Sequence, residues 1–155
     1  KFEMEKLNRK GGKCFFMGSS EAVLQKIREN AAVKYPSVIV ETYSPPYKPV
    51  FSEEDNSLII KAINSFNPDL LWIGMTAPKQ EKWLAKYKDV LNVPVSIGVG
   101  GTLDVMAGGM KRAPKWMQRA KLEWLFRAML QPKRAGRLIA LPKFVLKVHS
   151  SKQKS

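Results

Sequence analysis

The chain has 155 residues, 45% of them apolar and a net charge of +14, which fits one folded domain. No apolar run reaches the roughly 18 residues of a membrane-spanning helix, and the charged N-terminus carries no secretory signal. A single cysteine, Cys14, excludes an internal disulfide. These features predict a cytoplasmic protein.

The positive charge is concentrated towards the C-terminus. Residues 1–108 contain 14 Lys and Arg against 12 Asp and Glu, whereas residues 109–155 contain 13 against one. We therefore predict a nearly neutral body over 1–110, a basic helical appendage over 111–148 and a disordered tail over 149–155. A basic segment of this kind suits phosphorylated substrates, anionic lipid headgroups or nucleic acid, and composition does not choose among them.

In chain order, residues 2–10 have the spacing of a helix end, and residues 13–17 form an apolar run typical of a buried strand. Gly18 and Ser19 then lead into a helical pattern over 22–33. A strand that turns into a helix N-terminus can present backbone N–H groups to an anion. An ordinary turn between strand and helix explains the same residues more simply.

The second strand is predicted over 37–43, and the proline-rich loop 44–49 follows it. Tyr43 and Tyr47 flank or lie in this loop. Loops at the carboxyl ends of strands bind ligands in open α/β sheets. A stiff surface connection is an equally good interpretation.

The remaining elements continue the alternation. A helix is predicted over 53–65, a strand over 70–75, a helix ending near Tyr87 and a strand over 94–99. Strands that alternate with helices predict an α/β fold with a mostly parallel sheet.

The strongest ligand-binding candidates follow the third and fourth strands. The stretch 74–81 (GMTAPKQE) places Gln80 in a first helical turn, beside the carboxyl end of its strand. The stretch 98–104 (GVGGTLD) has glycines around Asp104, and glycine lets a ligand approach the backbone. It is not a GxGxxG fingerprint at the first strand–helix turn, so a dinucleotide cofactor is disfavoured.

From Trp116 onward the pattern is helical and basic. Arg134 and Arg137 lie three residues apart on one helix face after Pro132, and arginine forks suit phosphate oxygens. The stretch 138–148 either packs on the domain or lies on a membrane surface as an amphipathic helix. With one histidine and no metal-ligand cluster, catalytic triad or Walker loop, the sequence predicts no metal and no cofactor.

Three long motifs resemble the WecG/TagA/CpsF family of bacterial glycosyltransferases. They are GMTAPKQEKW (74–83), GVGGTLDVMAGGMKRAPKWMQ (98–118) and LEWLFRAMLQPKRAGR (122–137). CFFMGSS (14–20) and NPDLLWIG (67–74) match weaker parts of the family pattern. The resemblance covers about residues 13–137.

The resemblance implies a Rossmann-like α/β fold with a C-terminal helical appendage that meets the membrane. It implies an inverting transfer of a sugar, N-acetylmannosamine or its uronic acid, from a UDP-sugar to N-acetylglucosamine on undecaprenyl diphosphate. This reaction serves cell-surface polysaccharide synthesis at the inner face of the bacterial plasma membrane and needs no metal. The expected partners are the donor, the lipid-linked acceptor and an anionic membrane surface, with a homo-oligomer left open and no nucleic acid expected.

The resemblance also implies roles for individual residues. Gln80 is expected to contact a sugar, Asp104 to line the nucleotide pocket, and Arg127, Arg134 and Arg137 to neutralise the diphosphate leaving group. For Arg127, an exposed pairing with Glu123 on the same helix is the alternative. The expected substrate-binding residues are Gly18, Ser19, Tyr43, Tyr47, Gly74, Thr76, Pro78, Lys79, Gly98, Gly100, Gly101 and Asp104.

Two departures from the family pattern change the expectations. Members carry an N-terminal Ala-Asp-Gly motif whose aspartate is the proposed general base, and no Asp-Gly pair precedes Lys13 here. We therefore expect the C-terminal part of a longer enzyme, inactive alone and prone to self-association. Lys121 also stands where the family usually has glycine.

Two other functions stay open from the sequence. The basic C-terminal segment is compatible with a nucleic-acid-binding module, although no recognition signature accompanies it. It is also compatible with a membrane-surface scaffold that has kept the fold and lost activity.

Overall fold

The structure is a computed structural model that describes residues 2–109, 114–120, 122 and 126. The chain divides into two compact units, Lys1–Met110 and Lys111–Ser155. The helices of the first unit are α1 (Phe2–Lys10), α2 (Glu21–Lys34), α3 (Glu53–Phe66), α4 (Lys79–Tyr87) and α5 (Thr102–Met106). Its strands are β1 (Lys13–Gly18), β2 (Ile39–Tyr43), β3 (Leu70–Gly74) and β4 (Val95–Gly98). In the second unit, α6 spans Lys115–Arg119.

The four strands form one parallel sheet in the order β2-β1-β3-β4. This confirms the predicted α/β fold with a mostly parallel sheet. The chain leaves β1 towards β2 on one side and returns to β3 on the other. The sheet therefore has a topological switch point between β1 and β3, the place where open α/β sheets bind ligands.

Both faces of the sheet are covered, and the side chains at 14–17 in β1 and 70–73 in β3 are apolar. Alternate side chains point to opposite faces, so Cys14 and Phe16 enter one core cluster while Phe15 and Met17 enter the other. The first cluster includes Leu24 and Ile27 of α2, Met4 of α1 and Leu103 of α5. The second includes Ile59 and Ile63 of α3 and Trp83 of α4.

The α3 helix begins at a capping box. The Ser52 hydroxyl accepts from the backbone N–H of Asp55 at 3.1 Å, and the Asp55 carboxylate accepts from the backbone N–H of Ser52 at 2.9 Å. The helix ends at Asn67, whose left-handed conformation (φ 52°) is a common helix stop. The capping box at Ser52 and Asp55 fixes where the loop after β2 ends and α3 begins.

Several predicted boundaries differ from the structure. The second strand begins at Ile39 rather than residue 37, and α2 spans Glu21–Lys34 rather than 22–33. The glycine run contains a short helix, α5, that the sequence did not predict.

The C-terminal predictions fall largely outside the described residues. These include Pro132, Arg134, Arg137, the stretch 138–148 and the tail. None of the helices in the described part of the chain could serve as a membrane span.

Candidate functional site

The carboxyl ends of all four strands meet at one edge of the sheet, here called the carboxyl edge. Gly18 at the end of β1 is opposite Gly74 of β3, and Ile73 of β3 is opposite Gly98 of β4. Met17 of β1 is opposite Tyr43 at the end of β2. The four loops that carry most of the predicted site residues therefore leave the sheet side by side.

Gly18 and Gly74 lie in close backbone contact at the switch point. A Cβ atom on Gly18 would stand 2.4 Å from the carbonyl oxygen of Gly74, and Gly18 has a φ of +116° that other residues rarely adopt. A Cβ on Gly74 would stand 2.2 Å from Leu103 of α5. The space beside these two glycines is thus filled by the chain itself, and their role is to let β1, β3 and α5 pack together.

Ser19 connects three of the four strand ends. Its hydroxyl donates to Oδ1 of Asp104 on α5 at 3.3 Å, and its carbonyl accepts from the hydroxyl of Ser44, 2.9 Å away, after β2. Ser19 has a φ of 62°, a left-handed conformation that turns the chain sharply after β1. Ser44 was not among the predicted site residues, although its place directly after β2 was the available signal.

Gln80 connects the remaining strand end. Its Oε1 accepts from the backbone N–H of Gly100 at 2.9 Å, and its Nε2 donates to Oε1 of Glu81 at 2.7 Å. The side chain is 9% exposed and packs on Gly98, where an added Cβ would lie 3.2 Å from the Gln80 amide. The oxygen and the nitrogen of the Gln80 amide therefore each form a hydrogen bond within the chain. The contact of Gln80 with a sugar stays a prediction.

Lys79 reaches the proline-rich loop. Its ammonium group donates to the carbonyl oxygen of Lys48 and lies 3.4 Å from the ring centroid of Phe51. Burial lowers the pKa of Lys79, while the carboxylate of Asp55 acts in the opposite direction. These contacts brace the loop after β2 against the start of α4.

The other predicted residues occupy more varied positions. Thr76 is exposed, and its carbonyl accepts from the N–H of Lys79 at 2.8 Å. Pro78 follows a cis peptide bond and is the N-cap of α4. Gly101 directly precedes α5. Tyr47 is fully exposed, and the structure does not bring its side chain together with Ser19, Asp104 or Gln80.

The hydrogen bonds join all four strand-end loops into one arrangement, here called the loop network. It consists of the contacts Ser44–Ser19, Ser19–Asp104 and Gln80–Gly100. A hydroxyl, a carboxylate and a backbone turn held in fixed positions can recognise the hydroxyl and N–H groups of a nucleoside. The carboxylate is an acceptor for such groups.

No metal-ligand cluster accompanies the loop network: among the described residues, no group of three or more His, Cys, Asp or Glu is placed to hold an ion. Arg127, Arg134 and Arg137 lie outside the described residues. An open cavity between α1 and the starts of β3 and β4 lies at the opposite edge of the sheet, where it is lined by Lys6, Lys10, Leu70 and Val95. Parallel sheets bind their ligands at the carboxyl ends of strands, so the loop network is the better candidate site.

Comparison with known proteins identifies the relatives of this chain. Residues 3–155 match the family described as "Glycosyl transferase WecG/TagA/CpsF family". Over 141 residues the chain is 36% identical to N-acetylglucosaminyldiphosphoundecaprenol N-acetyl-beta-D-mannosaminyltransferase of Bacillus subtilis (strain 168), covering 91% of this chain and 53% of that protein. The protein of the same name from Staphylococcus aureus (strain NCTC 8325 / PS 47) is 32% identical over 142 residues, covering 92% and 54%. The chain spans about half the length of the curated relatives it matches.

Proposed function

The chain belongs to the WecG/TagA/CpsF family of glycosyl transferases, and we propose on this premise that it takes part in an inverting sugar transfer from a UDP-sugar donor. The observation that carries the proposal is the loop network at the switch point of a parallel sheet. Such sheets bind nucleotides at this place. The family match and the geometry thus support the same ligand class.

The proposed acceptor and sugar come from the relatives. Their names specify N-acetylglucosaminyldiphosphoundecaprenol as acceptor and N-acetyl-β-D-mannosaminyl as the transferred group. We extend both to this chain, with N-acetylmannosamine or its uronic acid as the sugar. The product is an intermediate of cell-surface polysaccharide synthesis, such as teichoic acid.

The chemistry requires stabilisation of a leaving group. The acceptor hydroxyl oxygen attacks the anomeric carbon, the bond from that carbon to the donor diphosphate breaks, and UDP leaves with the electron pair. The acceptor proton passes to a base. Negative charge develops on the diphosphate, and preorganised cations lower the free energy of that transition state. We assign this role to Arg127, Arg134 and Arg137.

The described residues have binding and positioning roles in this proposal. Asp104 accepts hydrogen bonds from the nucleoside, and Ser19 fixes the carboxylate from the neighbouring loop. Gln80 sets the conformation of the turn at Gly100, against which the donor sugar binds. Lys79 and Thr76 position the loop at the start of α4.

The lipid-linked acceptor places the enzyme at the inner face of the plasma membrane as a peripheral protein. The basic segment after residue 108 supports this location. Each Lys or Arg close to an anionic bilayer contributes about 1 kcal/mol to the attraction.

Calorimetric titration with UDP tests the proposal. We expect saturable binding that changes little with salt, and about tenfold weaker binding after Arg134→Ala with Arg137→Ala, because two diphosphate contacts are lost. The matched control is Lys152→Ala with Lys154→Ala, which removes the same charge from the tail and should leave the affinity unchanged.

A different result would favour another function. Absence of UDP binding, together with DNA binding that weakens steeply with salt, would indicate a nucleic-acid-binding module, because salt dependence reports released counterions.

A further inference from the structure

The loop between β2 and α3 exposes two apolar side chains beside the candidate site. Tyr47 is 106% exposed and Val50 is 80% exposed, and they lie three residues apart in a segment with three prolines. Single exposed apolar residues are ordinary in proteins. These two lie on one short loop at the carboxyl edge, and both are exposed in the described part of the first unit.

The loop is held in place by contacts at both ends. The hydroxyl of Ser44 donates to the carbonyl of Ser19 at 2.9 Å. The ammonium group of Lys79 donates to the carbonyl of Lys48, and the ammonium group of Lys48 lies 3.0 Å from the carboxylate of Asp55. Proline restricts the backbone between these contacts. The two apolar side chains are thus presented to solvent on a braced loop.

The charged side chains around the loop give it no net attraction for an anionic surface. The ammonium group of Lys48 forms an ion pair with Asp55. The ammonium group of Lys79 contacts the ring of Phe51 and donates to the carbonyl oxygen of Lys48. The helix that follows begins with the acidic pair Glu53 and Glu54. The loop therefore offers no excess of positive charge, and attraction to it must come from the apolar side chains.

We propose that Tyr47 and Val50 insert into the interface of a lipid bilayer and turn the carboxyl edge of the sheet towards the membrane. Tyrosine is favoured at bilayer interfaces, where its ring lies at the level of the headgroups and its hydroxyl remains hydrated. Valine adds apolar area that leaves water on insertion. The inference rests on the proposed function in one respect, because a lipid-linked acceptor puts a bilayer next to this edge.

Insertion of this kind differs from attraction of the basic C-terminal segment to anionic lipid. It depends on apolar area, so it persists on zwitterionic vesicles and at high salt, where exposed charges are screened. Those conditions isolate the contribution of the loop.

A site-specific fluorophore tests the proposal. Burial raises the pKa of the Cys14 thiol to about 12, so this cysteine stays unreactive while an introduced exposed thiol is labelled. An environment-sensitive fluorophore is attached to Tyr47→Cys and, as a control, to Val33→Cys. Val33 is 83% exposed and lies in the last turn of α2, at the opposite edge of the sheet.

With phosphatidylcholine vesicles at high salt, we expect a blue shift and quenching by nitroxide-labelled lipid for the label at position 47, and neither for the label at position 33. Equal responses at the two positions, or no response at position 47, would overturn the proposal. These vesicles contain no polyprenyl lipid, so a positive result reports the bilayer and not the acceptor chain.

A partition measurement gives an independent readout without a label. We expect Tyr47→Ser with Val50→Ser to weaken vesicle binding about tenfold, whereas Val33→Ser with Val90→Ser replaces two exposed apolar side chains elsewhere and leaves the binding unchanged. Equal partitioning of the two variants would contradict the proposal. UDP titration of the unsubstituted chain is measured separately, so failure of the nucleotide site and failure of insertion give different results.

Discussion

Gln80 illustrates how one buried side chain can determine the shape of a binding loop. Its amide oxygen accepts the N–H of Gly100 in a part-buried hydrogen bond, and Gln80 itself is 9% exposed. We predict that Gln80→Leu lowers the free energy of unfolding by about 1–3 kcal/mol, since a part-buried N–H then loses its partner. Urea unfolding measures this change.

Gln25 provides the matched control for that experiment. It is exposed on α2, and its amide contacts Glu29 on the same helix at 3.1 Å. Gln25→Leu should change the unfolding free energy by less than about 0.5 kcal/mol. Equal effects of the two substitutions would show that the Gln80 contact does not organise the turn.

A substitution at Gly18 tests the close backbone packing between Gly18 and Gly74 at the switch point. Gly18→Ala places a methyl group 2.4 Å from the Gly74 carbonyl oxygen and keeps a φ of +116°. Gly108 also has a positive φ, +74°, but nothing lies within 4 Å of its added Cβ. We therefore predict that Gly108→Ala costs about 1 kcal/mol through backbone strain alone, whereas Gly18→Ala costs considerably more or prevents folding. Thermal unfolding of both variants separates strain from collision, and similar midpoints would contradict the account.

At the scale of elements, the start of α3 links stability to pH. Hydrogen bonds from the Ser52 backbone, then from Lys48 and the Ser52 side chain, lower the pKa of Asp55 from 3.8 to about 2. A carboxyl group whose pKa is lower in the folded state stabilises that state above its unfolded pKa. This contribution is present above about pH 4 and is lost as the pH falls towards 2.

We predict that Asp55→Ala is less stable than the unsubstituted chain at pH 6, and that the difference shrinks between pH 4 and pH 2. Chemical unfolding at several pH values measures it. Asp89→Ala, in the exposed turn after α4, is the control and should show a small difference at every pH. A difference for Asp55→Ala that stays constant with pH would mean that the charged cap does not act as described.

The order of elements could be predicted because its signals are local. The residues at 14–17 are buried whichever face they point to, so the apolar run was recognisable as an interior strand. The proline-rich loop 44–49 preceded α3 and helped to mark its start. α5 was not recognised, because five residues within a glycine run carry too little periodicity to indicate a helix.

The candidate site was predictable only in part, because its contacts join residues far apart in sequence. Asp104 and Gln80 follow strand ends, and their position beside the sheet followed from the parallel topology. That Ser19 donates to Asp104, 85 residues later, required knowledge of which strands are neighbours. Gly18 and Gly74 remain predicted substrate-binding residues, and only the structure shows that a Cβ atom on either would collide with the chain itself.

At the scale of the whole molecule, the first unit combines a packed three-layer body with one polar edge. Core clusters cover both faces of the sheet, and the loop network joins the four strand ends at the carboxyl edge. In the proposed function, this edge is the surface where a nucleotide contacts the loops that follow the four strands. In the proposed function, the basic residues that follow in the sequence supply the positive charge that a diphosphate requires.

The central claim is that UDP binds at the carboxyl edge, and amide NMR shifts during a UDP titration test it most directly. We predict saturable shifts for Ser19, Gly100, Gly101 and Asp104, and none for Gly11 and Gly12 beside the cavity at the opposite edge. Asp104→Asn should weaken the binding about tenfold, because a neutral amide accepts nucleoside N–H and hydroxyl groups less strongly than a carboxylate. Shifts confined to Gly11, Gly12 or the basic segment, or no saturable shifts at all, would contradict the account.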